Sequence, residues 1–410
     1  MFDGLLASPF AGPIMLSRRG QRVLPAGKWG QSPFLHSRAR RNALMGTVPT
    51  VPHAGRHSAS GESHAALNYR DPWGRHSMSR TALAIVNVEP NRVELQEVGI
   101  PDPGADDVVV RTRHSMISNG TERSVLAGER GYGRAEGDPN APPFPQVGGY
   151  QKVGIVEAMG RNVRGIAEGE WVFATMGRIN FREFPMAGHV GVTVTHHNEV
   201  LKLPAGLDPL AASGLVTTQV GYNHGSRPPV GEGTRAIVVG DGLVGLWAAE
   251  TLQARGAAVM LIGRHTERLR TFEAKGESRA VNARDADVNQ AAAEFAPGGA
   301  PIVIDTLTTT DALHASLRFL AHDGHIVAGG YYIQGHNLID YMQLTAREAT
   351  LYTPGGWTRG RLERTLQWVA DGRLRVLDKI THRWPVARAV DAFDLLVRKY
   401  EPFLGMVIDW

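Results

Sequence analysis

The chain has 410 residues, 42% of them apolar and 20% charged, which is enough for two domains with real cores. It contains no cysteine, which excludes disulfides, thiolate nucleophiles and every cysteine-based zinc site, and it has no run of about 18 apolar residues with which to span a membrane. The net charge of +4 is uneven: residues 1–80 carry +8 and the rest −4, so the basic balance says nothing about nucleic-acid binding by the body of the chain.

Residues 1–80 are rich in Arg, His, Ser, Gly and Pro and lack apolar periodicity, so they read as a disordered tail or an over-extended start, with Met78 a natural beginning. Ser17–Leu24 has a twin-arginine look but no apolar stretch follows it, as an export signal requires. From 81 to 207 short β runs alternate with turn residues: TALAIVNV, VELQEVGI, DVVVRTRHSMI, KVGIVEAMG and EWVFATM. From 208 to 348 the style changes to strands alternating with helices. DPLAASGLVTTQVGYNHG is helical, with Asp208 as N-cap and Pro209 at the first position. TRAIVVG, AAVMLIG, APIVIDTL and HIVAGGYY are strands, while LVGLWAAETLQARG, HTERLRTFEAKG and TDALHASLRFLAHDG are helices. That alternation implies a parallel sheet with helical crossovers. Residues 349–410 add helices and a last strand expected to return to the β-rich domain. The fold class is therefore α/β: a β-rich domain plus a doubly wound parallel sheet.

Between the first strand and first helix of the second domain lies Gly240-x-Gly242-x-x-Gly245, with Leu243 and Val244 opening the helix. In that context the motif predicts a dinucleotide site: Gly240 for the tight turn, Gly242 for close approach of a pyrophosphate, Gly245 for helix–strand packing, and the helix N-terminus for the phosphates. About twenty residues on, where a carboxylate would bind a free ribose 2′-hydroxyl, the chain reads Gly263-Arg264, with Arg268 a helical turn beyond. Gly263 removes the carboxylate and Arg264 suits a 2′-phosphate, so NADP(H) is favoured over NAD(H).

The segment GGYQKVGIVEAMG, with ISNGTER before it, makes the body resemble the medium-chain dehydrogenase/reductase superfamily over 81–410. The resemblance implies a GroES-like catalytic domain, a Rossmann domain, a small-molecule substrate and a dimer, expected to be cytoplasmic and without a nucleic-acid or membrane partner. Zinc members of that family carry Cys beside Gly-(Ser/Thr)-Asp, then Gly-His-Glu. Here Asn119 stands at the Cys place, Thr121 and Glu122 at the Ser/Thr and Asp places, Tyr150 at the His place and Gln151 at the Glu place, so no catalytic zinc is expected. ISNGTER, VAGGYY, ITHRWPVARAVDAF and the terminal MVIDW resemble the bacteriochlorophyllide a dehydrogenase-like branch, which oxidises a hydroxyethyl side chain on a chlorin; similar sequences are attached to sugar or polyol oxidation. Family placement puts Thr218, Gly329 and Tyr331 at the cofactor.

Without a metal, hydride transfer still needs a group that holds the substrate oxygen and moves a proton. Ser118, Asn119, Thr121 and Tyr150 are the candidates. Tyr150 leads if Lys152, on the same face of a strand, lowers its pKa; the plainer alternative is that its ring fills the space of a zinc ion. His189, His196 and His197 read as surface or interface residues, the last two facing opposite sides of a strand. His224 is a weaker proton-relay candidate, and His322–His325 reads as a solvated loop. The pocket is expected to take residues from Gly128–Gln146, from GRINFREF and from GWTRGRLE, where Trp357, Arg359 and Arg361 either meet an aromatic or carboxylated substrate or coat a surface.

Overall fold

A computed structural model describes residues 80–129, 144–180, 186–330, 332 and 338–410. The tail before Arg80, Tyr331, most of the Gly128–Gln146 loop and Phe181–Phe184 lie outside the described residues.

Six strands form one all-parallel sheet in the order Arg279–Asn282, Ala258–Gly263, Arg235–Val239, Ala300–Asp305, Leu320–Ala328 and Thr350–Tyr352. Their near-continuous apolar runs follow from burial of both faces. Val238, Leu261, Ile304 and Val327 meet the helix Leu243–Ala254 on one side. Ile237, Met260, Val303 and Ile326 meet Phe295, Leu313 and Leu317 on the other.

The second body is β-rich. Its central strand, Asp107–Met116, pairs antiparallel with Lys152–Met159, Val192–His196 and the terminal strand Gly405–Asp409. The end of the chain thus lies in the sheet built from its beginning, with Ile380–Pro385 beside it. A separate small sheet joins Arg92–Ile100, Arg80–Glu89 and Gln146–Val147. The chain has the mixed α/β fold of a GroES-like domain with a Rossmann sheet.

Three helices differ from expectation. The segment from Asp208 is a 3-10 turn, Pro209–Ala212, followed by a separate helix, Leu215–Ser226. The break falls at Ser213–Gly214, where a side chain on Gly214 would overlap the Met116 thioether. The helix after Gly263 spans only Thr266–Leu269: Phe272 turns into the core, and Gln253 bonds the Glu273 carbonyl and the Lys275 N–H, so main-chain groups find partners outside a helix. The third, Thr310–Ser316, gives way to a strand beginning at Leu320, so His325 lies within a strand, its Nδ1 3.3 Å from the Tyr352 hydroxyl, and is not part of a solvated loop. Among the described residues no helix is long and apolar enough to cross a membrane.

Candidate active site and cofactor cradle

The helix Leu215–Ser226 carries both halves of the site. Its small residues let the helix Leu243–Ala254 come close: a Cβ on Gly221 would meet Trp247, and one on Gly225 would meet Thr251. Its first turn is stapled to the β-rich body by Gln151, which is fully buried. The Gln151 amide donates to the Met116 carbonyl and to Thr217 Oγ1 (3.2 and 2.9 Å), and its oxygen accepts from the Thr217 N–H (3.1 Å). The residue at the Glu place therefore holds the two bodies in register.

The glycine-rich turn has the shape a dinucleotide needs. Gly240 has φ +119°, closed to most side chains. A Cβ on Gly245 would overlap the Gly240 carbonyl, whereas nothing lies within 4 Å of one on Gly242, so the turn is open above its second glycine. Leu243 and Val244 start a twelve-residue helix whose first N–H groups have no side-chain cap, as a pyrophosphate-binding helix requires. Gly329 ends the strand Leu320–Ala328 and donates its N–H to the Asp305 carbonyl at 2.7 Å. His224, two turns along the bridging helix, reaches that glycine with a buried Nδ1 that has no partner. Burial lowers its pKa to about 4, so the ring is neutral at physiological pH. Thr218 is buried, and its hydroxyl bonds back to the Gly214 carbonyl. Arg264 is exposed and Arg268 half-buried.

The expected vacancy at Gly263 is filled. The Asp241 carboxylate, from the middle of the Gly240–Gly242 turn, accepts from the main-chain N–H groups of Arg264 (2.6 Å) and His265 (2.7 Å) and lies 3.0 Å from His265 Nδ1. The carboxylate at the end of this strand thus comes from the loop and not from the strand itself.

The hydroxyl groups gather as follows. Tyr150 donates to Ser118 Oγ at 2.5 Å, and the Thr121 and Thr217 hydroxyls lie close enough to act on the phenol. Its ring stacks on Trp357 with centroids 5.5 Å apart. Two sequence expectations about Tyr150 fail. It lies before the strand, which begins at Lys152 after the Gly149 turn at φ +75°, so face alternation does not connect the two residues. Lys152 Nζ instead donates to the Thr175 and Ala187 carbonyls, at 2.8 and 3.0 Å. Burial pushes Tyr150 up to about 12, so it holds its proton.

Lys152, itself fully buried, is lowered to about 7 by loss of solvation. The unfolded chain then binds more protons than the folded one between about pH 7 and 10.5, so this residue makes stability rise with pH across that window. Lys152→Met cannot titrate. Its stability relative to the parent should therefore fall as pH rises from 7 to 10, by at most about 1.4 kcal/mol per pH unit, as read by paired denaturant melts. A constant difference would show that Lys152 is charged in the fold throughout.

His189 is not a surface residue. It is fully buried, with Nε2 2.7 Å from Glu122 Oε2 and Nδ1 2.9 Å from Ser115 Oγ, which also accepts from the Trp410 indole. The other Glu122 oxygen accepts the Ser118 N–H at 2.7 Å. A buried acid–imidazole pair therefore fixes the serine that holds Tyr150. His196 and His197 do not face opposite sides: the strand ends at His196, a 3-10 turn begins at His197, and the rings stack at 4.5 Å. Arg359 donates to the Asn198 and Val200 carbonyls, so it holds a loop. Arg361 reaches Gly356 and Gln219 beside Trp357.

The donor set does not suit zinc. The Asn119 amide donates to the Leu404 carbonyl at 2.5 Å, and Tyr150 is a protonated phenol bonded to Ser118. Among the described residues no three His, Cys, Asp or Glu side chains are placed to hold a metal ion.

Residues 244–371 match the family model of zinc-binding dehydrogenases. The chain is 26% identical over 381 residues to an alcohol dehydrogenase of Cupriavidus necator, covering 81% of this chain and 99% of that one. It is 25% identical over 338 residues to the 2-desacetyl-2-hydroxyethyl bacteriochlorophyllide A dehydrogenase of Cereibacter sphaeroides, covering 80% and 98%. Among solved structures it is similar to a zinc-binding dehydrogenase from Sinorhizobium meliloti 1021 bound to NADP, with TM-score 0.68 and 21% identity, covering 81% of this chain and all of that one. With the parallel sheet, the glycine-rich turn and the GroES-like body in place, the chain has the fold of the NAD(P)-dependent medium-chain dehydrogenases/reductases and carries a zinc-binding-dehydrogenase family domain over residues 244–371.

Proposed function

We propose that this enzyme interconverts a secondary alcohol and its ketone without zinc, its substrate being a hydroxyethyl-bearing chlorin or a sugar or polyol. The observation that carries the reading is the hydroxyl cluster beside Trp357, formed by the buried Tyr150, Ser118 and Thr217 with the half-buried Thr121. In this reading residues 208–348 bind the dinucleotide, residues 81–207 and 349–410 bind the substrate, and the enzyme is a cytoplasmic homodimer.

A dinucleotide held by Gly240, Gly242 and the N-terminus of the helix Leu243–Ala254 would supply the hydride chemistry at the substrate carbon. The protein handles the oxygen. Tyr150 keeps its proton at neutral pH and acts as a general acid in the reductive direction, giving that proton to the oxygen as charge develops on it. Ser118 and Thr121 orient the phenol, and Glu122 with His189 fixes Ser118. Trp357 walls the site and excludes water from it.

Purified protein should oxidise members of an alcohol panel drawn from hydroxyethyl chlorins, sugars and polyols, with turnover unchanged after dialysis against EDTA. One tightly held zinc per chain by elemental analysis, with activity lost on its removal, would overturn the metal-free reading. Reduction of conjugated enones with no alcohol oxidation would assign the hydroxyl cluster to a C=C reductase instead.

A further inference from the structure

A Rossmann strand usually ends in the carboxylate that binds the adenosine ribose. Here the strand Ala258–Gly263 ends in a residue with no side chain, yet the place is not open. A Cβ built on Gly263 falls 2.5 Å from Asp241 Oδ2. Asp241, only 7% exposed, crosses from the glycine-rich turn to the strand end. Gly263 is thus the complement of Asp241: any larger residue would expel the carboxylate.

Two consequences follow for a ligand at this strand end. A 2′-phosphate there would draw on the Arg264 and His265 N–H groups, but the Asp241 carboxylate already accepts both. The phosphate would also bring negative charge against a shielded, ionised carboxylate. Burial works against the charge on Asp241, and the N–H donors of Arg264 and His265 outweigh it, holding its pKa below the usual range. A ribose 2′-hydroxyl, by contrast, donates to a carboxylate with lone pairs to spare. The two cations nearby do not reverse this. Arg264 extends into solvent, and Arg268 Nη1 is already 3.8 Å from Asp241 Oδ1.

We infer that Asp241 is the ribose-reading carboxylate of this chain, supplied from the loop in place of the strand, and that it selects NAD(H) against NADP(H). The inference rests on the dinucleotide reading of the glycine-rich turn and reverses the preference that Gly263 and Arg264 suggest in sequence.

The test is binding, independent of turnover. Dissociation constants of NADH, NADPH, AMP and adenosine 2′,5′-bisphosphate are measured by calorimetry on the parent, Asp241→Asn and Asp241→Ala, with melting temperatures alongside. The parent should bind NADH at least about tenfold tighter than NADPH, and AMP tighter than the bisphosphate, the size of effect expected for a charge-assisted hydrogen bond. Asp241→Asn keeps the shape and an oxygen acceptor but removes the charge, so NADPH and the bisphosphate should each gain about tenfold. Asp241→Ala should lose about tenfold for NADH. If the alanine variant does not fold, the asparagine variant and the fragment pair still decide. A parent that prefers NADPH, or a folded asparagine variant with an unchanged NADH/NADPH ratio, overturns the role of Asp241. A parent that binds neither dinucleotide overturns the dinucleotide reading itself, a separate failure.

Discussion

Tyr150→Phe should lower turnover by about 10²–10⁴ while leaving dinucleotide affinity and melting temperature close to the parent's. The variant keeps the ring, so the stack on Trp357 and the filling of the buried space persist; only the hydroxyl that donates to Ser118 is lost. Because burial holds the phenol near 12, the parent's pH–rate profile should show no limb from Tyr150 between pH 6 and 10. Thr121→Ala should cost less, since a hydroxyl that only positions the phenol contributes about 0.5–1.5 kcal/mol. Turnover is measured at saturating cofactor so that kcat is separated from binding. A Phe variant as fast as the parent, with an inactive Thr121→Ala, would leave Tyr150 a space-filler and give the proton to Thr121.

Glu122→Ala should destabilise the protein by about 2–5 kcal/mol, the largest stability effect expected at the site. The carboxylate is buried and serves two partners, the Ser118 N–H and His189 Nε2. Alanine leaves both groups without an acceptor in a place closed to water. Glu122→Gln retains one acceptor oxygen and should lose less stability. The double variant Glu122→Ala, His189→Ala should be less destabilised than the sum of its singles, because two of the lost contacts are the same contact. Denaturant melts of the parent and the four variants measure this. Additive losses would mean that the pair is not coupled.

The two bodies were legible in the sequence because their burial patterns differ. Runs such as AIVV and VMLI are apolar at every position because both faces of a parallel sheet are covered, whereas the first half alternates. Gly240, Gly242 and Gly245 were legible because their role is steric and local: the turn, the open approach and the close helix all lie within six residues. The departures at Asn119, Tyr150 and Gln151 could also be read directly, since a zinc ligand is a matter of side-chain chemistry.

What the tertiary structure decided is which side chains meet across long separations, and there local pattern carried no information. Lys152 looked like a neighbour of Tyr150 because alternation was extended two residues too far; the Gly149 turn sends it to Thr175 and Ala187 instead. His189 looked like a surface residue because its partner, Glu122, is 67 positions away. Gly263 looked like an empty place because the carboxylate that fills it, on Asp241, comes from a loop 22 positions earlier. In each case the deciding quantity is burial. A charged or polar group removed from water must find a partner wherever the fold brings one, and that partner is fixed by how the strands and helices pack, not by its distance along the chain.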